Sequence, residues 1–425
     1  MKNEFYFILH FILHMNIYAI IILVTIIFSF ILDLISNWLN LKALDPKLPD
    51  EFQDVFDAEK YRKSQEYTKV NTRFGFITSI FGLALTLVFW FAGGFDYLDQ
   101  IVRGWNLHFI WTGLLFIAIL MFAKSFVSLP FSIYHTFVIE EKFGFNKTTV
   151  KTFILDMVKG VGLGILLGGP LLAGLLAFFQ YTGDYAWLYA WAATTAFTLI
   201  VQFIAPTWIM PLFNKFTPLE DGELRQTIMD YAKKVNFSLQ NLFVMDGSKR
   251  SSKSNAFFTG FGKNKRIALF DTLIEKHTVK ELLLVLAHEI GHYKKKHIIK
   301  SMIISVLHMG IMFYLLSIFL NHKGLFDAFY MQEMSIYAGL IFFGMLYSPV
   351  EMILSVFMQI FSRKNEFEAD HYAAETTKDS QSMIDALKKL SVDNLSNLTP
   401  HPFYVFLNYS HPPVLQRINA LKSQI

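Results

Sequence analysis

The chain has 425 residues, of which 53% are hydrophobic, 16% aromatic and only 17% charged, a balance too apolar for a soluble enzyme of this size. The formal charge of +4 suits a surface that faces a membrane, and no basic module with interleaved aromatics argues for nucleic acid. There is no cysteine, which excludes disulfides, thiol catalysis and thiolate metal sites, so any metal must be held by His, Asp or Glu.

The first apolar run lies between Phe5 and Ile35 and carries His14, Asn16 and Asp33, which places its spanning part at 17–35. It is too long for a cleaved signal and ends without a small-residue cleavage site, so it reads as a retained anchor. Further spans are expected at 74–95, 107–133, 153–181, 186–213, 298–320 and 336–361, a mainly α, polytopic chain of about seven membrane helices. Basic residues crowd the first connection (Lys42, Lys47, Lys60, Arg62, Lys63, Lys69, Arg73) and follow the third span (Lys142, Lys147, Lys151). The second, fourth and sixth connections offer only Arg103, nothing and Lys323. Because Lys and Arg near span ends stay on the cytoplasmic side, the N-terminus is expected outside and the C-terminus in the cytosol.

The expected domains are 1–214 with the first five spans, 215–297 as a cytosolic catalytic insertion, 298–361 with the last two spans, and 362–425 as a helical completion of the catalytic part. Within the insertion the pattern suggests a helix over 224–235, a strand over 242–245 followed by an Asp246-Gly247 turn, and a second strand over 266–270. Ser251–Asn255 and the Gly260–Asn264 turn lie between them in a hairpin-like arrangement. From Val279 the period becomes helical, and the helix is expected to run on into the sixth span.

That helix carries His288-Glu289-Ile290-Gly291-His292. A four-residue separation puts both imidazoles on one face, able to hold one zinc ion, and Glu289 between them is placed to take a proton from the attacking water. A chance pentapeptide is the bland alternative. The third ligand is sought in Asn365-Glu366-Phe367-Glu368-Ala369-Asp370, just past the last span. Glu366 and Asp370 share a helix face, Glu366 as ligand and Asp370 as the carboxylate that orients a ligand histidine; Glu368 is the rival, turned away from that face. The run could otherwise be a solvated helix start. Near the C-terminus His411, in Ser410-His411-Pro412-Pro413, and Arg417 are each able to stabilise a tetrahedral oxyanion, against the plain reading of a surface histidine. Lys124 and Glu351, costly in hydrocarbon, hint at a wet chamber, and Lys294–His297 reads as an interfacial basic collar.

Together these residues resemble the type I CAAX prenyl protease family, membrane zinc peptidases related to the a-factor-converting enzyme. The likeness extends to Tyr134–Asn146, to Ile204-Ala205-Pro206 with Pro211–Leu219, to Ser254-Asn255-Ala256-Phe257 and to Lys263–Ile267. The resemblance implies a seven-helix barrel around an aqueous chamber, capped by a small α+β cytosolic zinc-peptidase domain. It implies one zinc ion held by His288, His292 and Glu366, substrate backbone bound along Asn255 and Ala256, and His411 and Arg417 bordering the active site. It also implies a prenylated protein substrate that loses its last three residues. A general membrane-protein quality-control protease is the alternative, and a transporter or receptor with a structural metal a more distant one; a site-2 type protease is disfavoured because the chain contains no Asn-Pro. The lack of cysteine and the short connection between the two zinc segments lean toward a bacterial inner membrane, with the endoplasmic reticulum as the eukaryotic counterpart.

Overall fold

The computed structural model describes residues 15–239, 241–259 and 266–423. The Gly260–Asn264 turn and His14 lie outside them. Among the described residues, seven helices are long and apolar enough to cross a membrane: α1 (Ile17–Lys42), α2 (Ala58–Phe91), α4 (Phe109–Glu140), α5 (Val150–Tyr181), α6 (Gly183–Phe213), α10 (His297–Phe319) and, after the short α11 (Lys323–Asp327), α12 (Ile336–Thr377). Their apolar cores coincide with the runs read from sequence. The helices are longer than those runs, because α1, α2 and α12 continue as polar helix beyond the lipid.

The seven form a closed ring. α1 touches α2, α2 reaches α4 through the short α3 (Gly94–Gly104), and α4, α5, α6, α10 and α12 follow in turn until α12 meets α1 again. Only 6% of the most apolar window is buried in α2, α4, α5 and α6. A solid bundle would bury a stripe along every helix, so these walls are open on both faces, to lipid outside and to a chamber inside. Within the wall, Glu351 of α12 lies 3.4 Å from His308 of α10, which also bonds Tyr347 at 3.0 Å.

One end of the barrel is sealed by aromatic packing. Trp90, Phe95, Phe329 and Phe342 are buried there, with Phe329 and Phe342 stacked at 3.9 Å and the Trp90 indole N–H donating to Ala328 O at 2.7 Å. The opposite end carries the α+β part. It consists of β1 (Phe216–Pro218), α7 (Glu223–Lys234), β2 (Asn241–Met245), β3 (Ala256–Thr259), β4 (Arg266–Phe270), α8 (Asp271–Lys276) and α9 (Val279–Lys294), completed by the end of α12, α13 (Ser380–Asp393), α14 (Pro402–Asn408) and α15 (Val414–Lys422). Leu282, Leu286 and Ile290 of α9 pack with Ile267 and Leu269 of β4, Ala373 of α12 and Ile418 of α15 in one core.

Two expectations change. The strands at 242–245 and 266–270 do not form a hairpin with one another: β2 and β4 pair in parallel, and the hairpin partner of β4 is β3, in the order β1-β2-β4-β3. The segment between them is long enough to return the chain for a parallel pairing and still add an edge strand. Nor does the metal-motif helix run on into the sixth span. It stops at Lys294, Lys296 takes a left-handed backbone conformation (φ 59°), and α10 begins afresh at His297.

Candidate active site

α9 is firmly started. Thr278 and Glu281 form a reciprocal cap, the Thr hydroxyl accepting from Glu281 N at 3.3 Å and the Glu carboxylate accepting from Thr278 N at 2.9 Å. The helix lies against α12 across small residues: a Cβ on Gly291 would stand 3.1 Å from Ala369 Cα and O. This close approach brings two distant sequence segments into bonding range.

At the contact the Nε2 atoms of His288 and His292 are 3.1 Å apart. Glu366 closes the triangle, Oε1 at 3.3 Å from His292 Nε2 and Oε2 at 3.4 Å from His288 Nε2. Ligand atoms on a tetrahedral zinc, with bonds near 2.0–2.1 Å, sit about 3.3 Å from one another. The chemistry of the set agrees: the Glu366 Oε2 atom is buried without a hydrogen bond, an arrangement costly unless a cation satisfies it. The residues therefore fit a metal ion, with two imidazoles and one carboxylate leaving a position open. Glu289, between the two histidines in sequence, is partly buried, and burial pushes its carboxyl above the ordinary Glu range while the nearby histidines pull it back.

Around this triangle the other anticipated residues assemble. Asp370, 2% exposed, has Oδ1 2.8 Å from His288 Nδ1. Arg417 of α15 grips Asp370 with two prongs, at 2.7 and 2.6 Å, and its third nitrogen stands 3.6 Å from Glu366 Oε2. Exposed His411 reaches in to place Nε2 3.3 Å from Glu366 Oε1. Asn255 is exposed at the head of edge strand β3; its backbone oxygen accepts from Phe270 N on β4, and its side chain accepts from Ala256 N at 2.8 Å.

One residue stands elsewhere than its sequence suggests, and one stands as expected. His297, read as part of a basic collar, is 3% exposed and its Nδ1 lies 3.0 Å from His292 Nδ1; the helix break folds it inward. Glu368 does turn away from the ligand face, and meets His297 Nε2 at 3.1 Å. A third group went unnoticed in the sequence. Lys253, two residues before Asn255, bonds Glu140 at 2.9 Å and Tyr67 at 2.8 Å, tying the approach to β3 onto α4 and α2. Arg250 likewise forks onto Asp156 of α5 at 2.7 and 2.8 Å. The signal for it was a cluster of cations just before a strand, which alone has many readings.

A ring of seven spans opening onto a His, His, Glu triangle with a glutamate beside it defines a polytopic membrane metallopeptidase. Comparison with known proteins narrows the class. A model described as CAAX prenyl protease N-terminal, five membrane helices, matches residues 37–215, and one for peptidase family M48 matches residues 218–425. CAAX prenyl protease 1 of Saccharomyces cerevisiae is 37% identical over 417 residues, covering 89% of this chain and 89% of the relative. The homolog from Homo sapiens is 34% identical over 422 residues, covering 88% and 89%. The crystal structure of S. mikatae Ste24p superposes with a TM-score of 0.89 at 36% identity, covering 95% of this chain and 99% of that one. The chain belongs to the CAAX prenyl protease 1 family of M48 peptidases, and it is a multi-pass membrane metalloendopeptidase. These relatives are eukaryotic, and the lean toward a bacterial membrane finds no support among them; a lack of cysteine reflects residue usage in one chain and carries no information about the cell.

Proposed function

We propose that this enzyme is zinc-dependent and removes the C-terminal three residues of prenylated CAAX proteins, from the cytosolic side of the endoplasmic reticulum membrane. The observation that carries the metal assignment is the convergence of His288 Nε2, His292 Nε2 and both Glu366 oxygens at separations of 3.1–3.4 Å. Bound there, zinc supplies a Lewis acid that makes water acidic near neutral pH. Glu289 accepts the proton of the attacking water and delivers it to the departing amine, work suited to a carboxyl held above its usual range. The imidazole of His411 donates to the oxyanion. Arg417, whose fork is engaged by Asp370, holds that carboxylate against His288 and so positions the ligand.

Substrate backbone adds to the free edge of β3 at Asn255 and Ala256, an extended mode that reads main chain more than side chains. Support for a lipidated substrate comes from the names of the relatives and from a cavity of about 770 Å³ between α2 and α4, lined by Phe81, Leu85, Phe89, Val127 and Phe131 with Lys124 and His135 as its basic side chains. The basic first connection and the basic turn after α4 support a cytosolic position for the α+β part.

The test pairs the purified, zinc-loaded enzyme and its Glu289→Ala variant with a farnesylated CAAX peptide and its unprenylated twin, products being read by mass spectrometry. Glu289-dependent loss of three residues from the lipidated peptide alone is expected. Equal cleavage of both peptides would replace the prenyl reading with a general membrane-associated endopeptidase, and cleavage by the Glu289→Ala variant would remove Glu289 from its role.

A further inference from the structure

Each imidazole that ligates a metal through one nitrogen carries its proton on the other, and that proton needs an acceptor. For His288 the neighbour is Asp370. Among the described residues no carboxylate pairs with His292 Nδ1; that atom faces Nδ1 of His297 at 3.0 Å, and His297 Nε2 in turn faces Glu368 Oε2 at 3.1 Å. A carboxylate only accepts. The proton on that side therefore sits on His297 Nε2, which leaves Nδ1 of the neutral His297 ring as an acceptor. The hydrogen between the two rings then belongs to His292 Nδ1, and His292 Nε2 is left bare. That is the nitrogen 3.1 Å from His288 Nε2 and 3.3 Å from Glu366 Oε1.

We infer that His297 and Glu368 are positioning residues that fix the tautomer and ring orientation of His292 as a metal ligand. The inference rests on the zinc reading above. It also gives a purpose to the helix break. In an unbroken α-helix a residue five positions after His292 would be rotated about 140° from it and could not touch it. The chain instead stops at Lys294, turns through the left-handed Lys296, and restarts with His297 folded back so that the two rings cross at 74°. His297 is fully enclosed, at 3% exposure, so the contact is not a chance surface encounter. Glu368 stands on α12 two residues after Glu366 and two before Asp370, and its second oxygen is 3.9 Å from Lys364.

The experiment measures zinc affinity by chelator competition on the full-length protein in detergent, with the thermal midpoint of the metal-free form as the check on folding. His297→Phe keeps a ring of similar size without nitrogen and is expected to weaken zinc about 10- to 100-fold while leaving the metal-free midpoint unchanged. Glu368→Ala is expected to weaken zinc in the same direction. Glu368→Gln should stay close to wild type, because its amide oxygen accepts the same N–H. An unchanged affinity in His297→Phe, equal losses in Glu368→Ala and Glu368→Gln, or a fall in the metal-free midpoint large enough to account for the loss would each overturn the inference. A His288→Ala control keeps the two readings apart: wild-type protein that binds zinc no better than this variant refutes the metal site itself, whereas His288-dependent binding with no effect of His297→Phe refutes only the relay.

Discussion

Arg417 and Asp370 meet in a two-pronged ion pair, at 2.6 and 2.7 Å, that joins α15 to α12, the helix bearing Glu366. Both side chains are nearly enclosed, at 11% and 3% exposure, so neither charge can be removed without stranding the other. Arg417→Lys keeps the charge but not the planar fork. It is expected to destabilise the protein by about 1–3 kcal/mol through the lost charged hydrogen bond and to lower zinc affinity about tenfold, read by thermal unfolding and chelator competition. Wild-type affinity in this variant would show that Arg417 does not act through Asp370.

Gly291 lies where α9 and α12 are closest, and a Cβ there would press on the backbone of Ala369 and the ring of Tyr372 at 3.1–3.2 Å. Backbone in a packed helix yields little. Gly291→Ala is expected to cost about 1–3 kcal/mol, and Gly291→Leu to spread the helices enough that Glu366 no longer reaches the histidines. Zinc content after gel filtration is the measurement. Stoichiometric zinc in Gly291→Leu would show that the contact is more tolerant than the geometry requires.

Asn255 stands exposed at the head of edge strand β3, and its side chain accepts from the Ala256 N–H. Under the substrate binding proposed along β3, Asn255→Ala removes a binding group and leaves the metal-site residues in place. The expected result is a KM raised about 5- to 20-fold with kcat little changed, a loss of about 1–2 kcal/mol in kcat/KM. A fall confined to kcat would place Asn255 in the chemical step instead.

Outside the membrane, Glu51 binds Lys422 at 2.5 Å and the buried Lys388 at 3.1 Å. The hydrogen bond from Lys422, then Lys388, holds the Glu51 carboxyl below its ordinary value of 4.5 despite some burial. A carboxylate with a depressed folded-state pKa contributes stability above its unfolded pKa and loses it as pH falls through the folded one. Glu51→Gln is therefore expected to be less stable than wild type by about 1–3 kcal/mol at pH 7, with the gap closing as pH drops from about 4.5 downward. Chemical denaturation of the two proteins at pH 7 and at acid pH reads the difference. A gap that is constant with pH would mean that the charge on Glu51 is not what matters.

Much of this molecule follows from local sequence. The seven spans are legible because each must be apolar along its whole lipid-facing length, whatever its neighbours do. His288, Glu289 and His292 are legible because helix periodicity alone puts two imidazoles on one face. Glu366 and Asp370 share a face for the same reason. Tertiary packing decided the rest. Whether Glu366 or Glu368 meets the histidines depends on how α12 is rotated against α9, which Gly291 and Ala369 settle across the interface. The turn at Lys296 is invisible in a run of lysines that suits a helix well, and it brings His297 to Glu368, 71 residues further along the chain. The parallel pairing of β2 with β4, and with it the exposed edge at Asn255, depends on the return path of the intervening chain. Composition and periodicity act within a few residues and so are written in the sequence directly; contacts between distant segments depend on the shape of both surfaces, which exists only once the chain has folded.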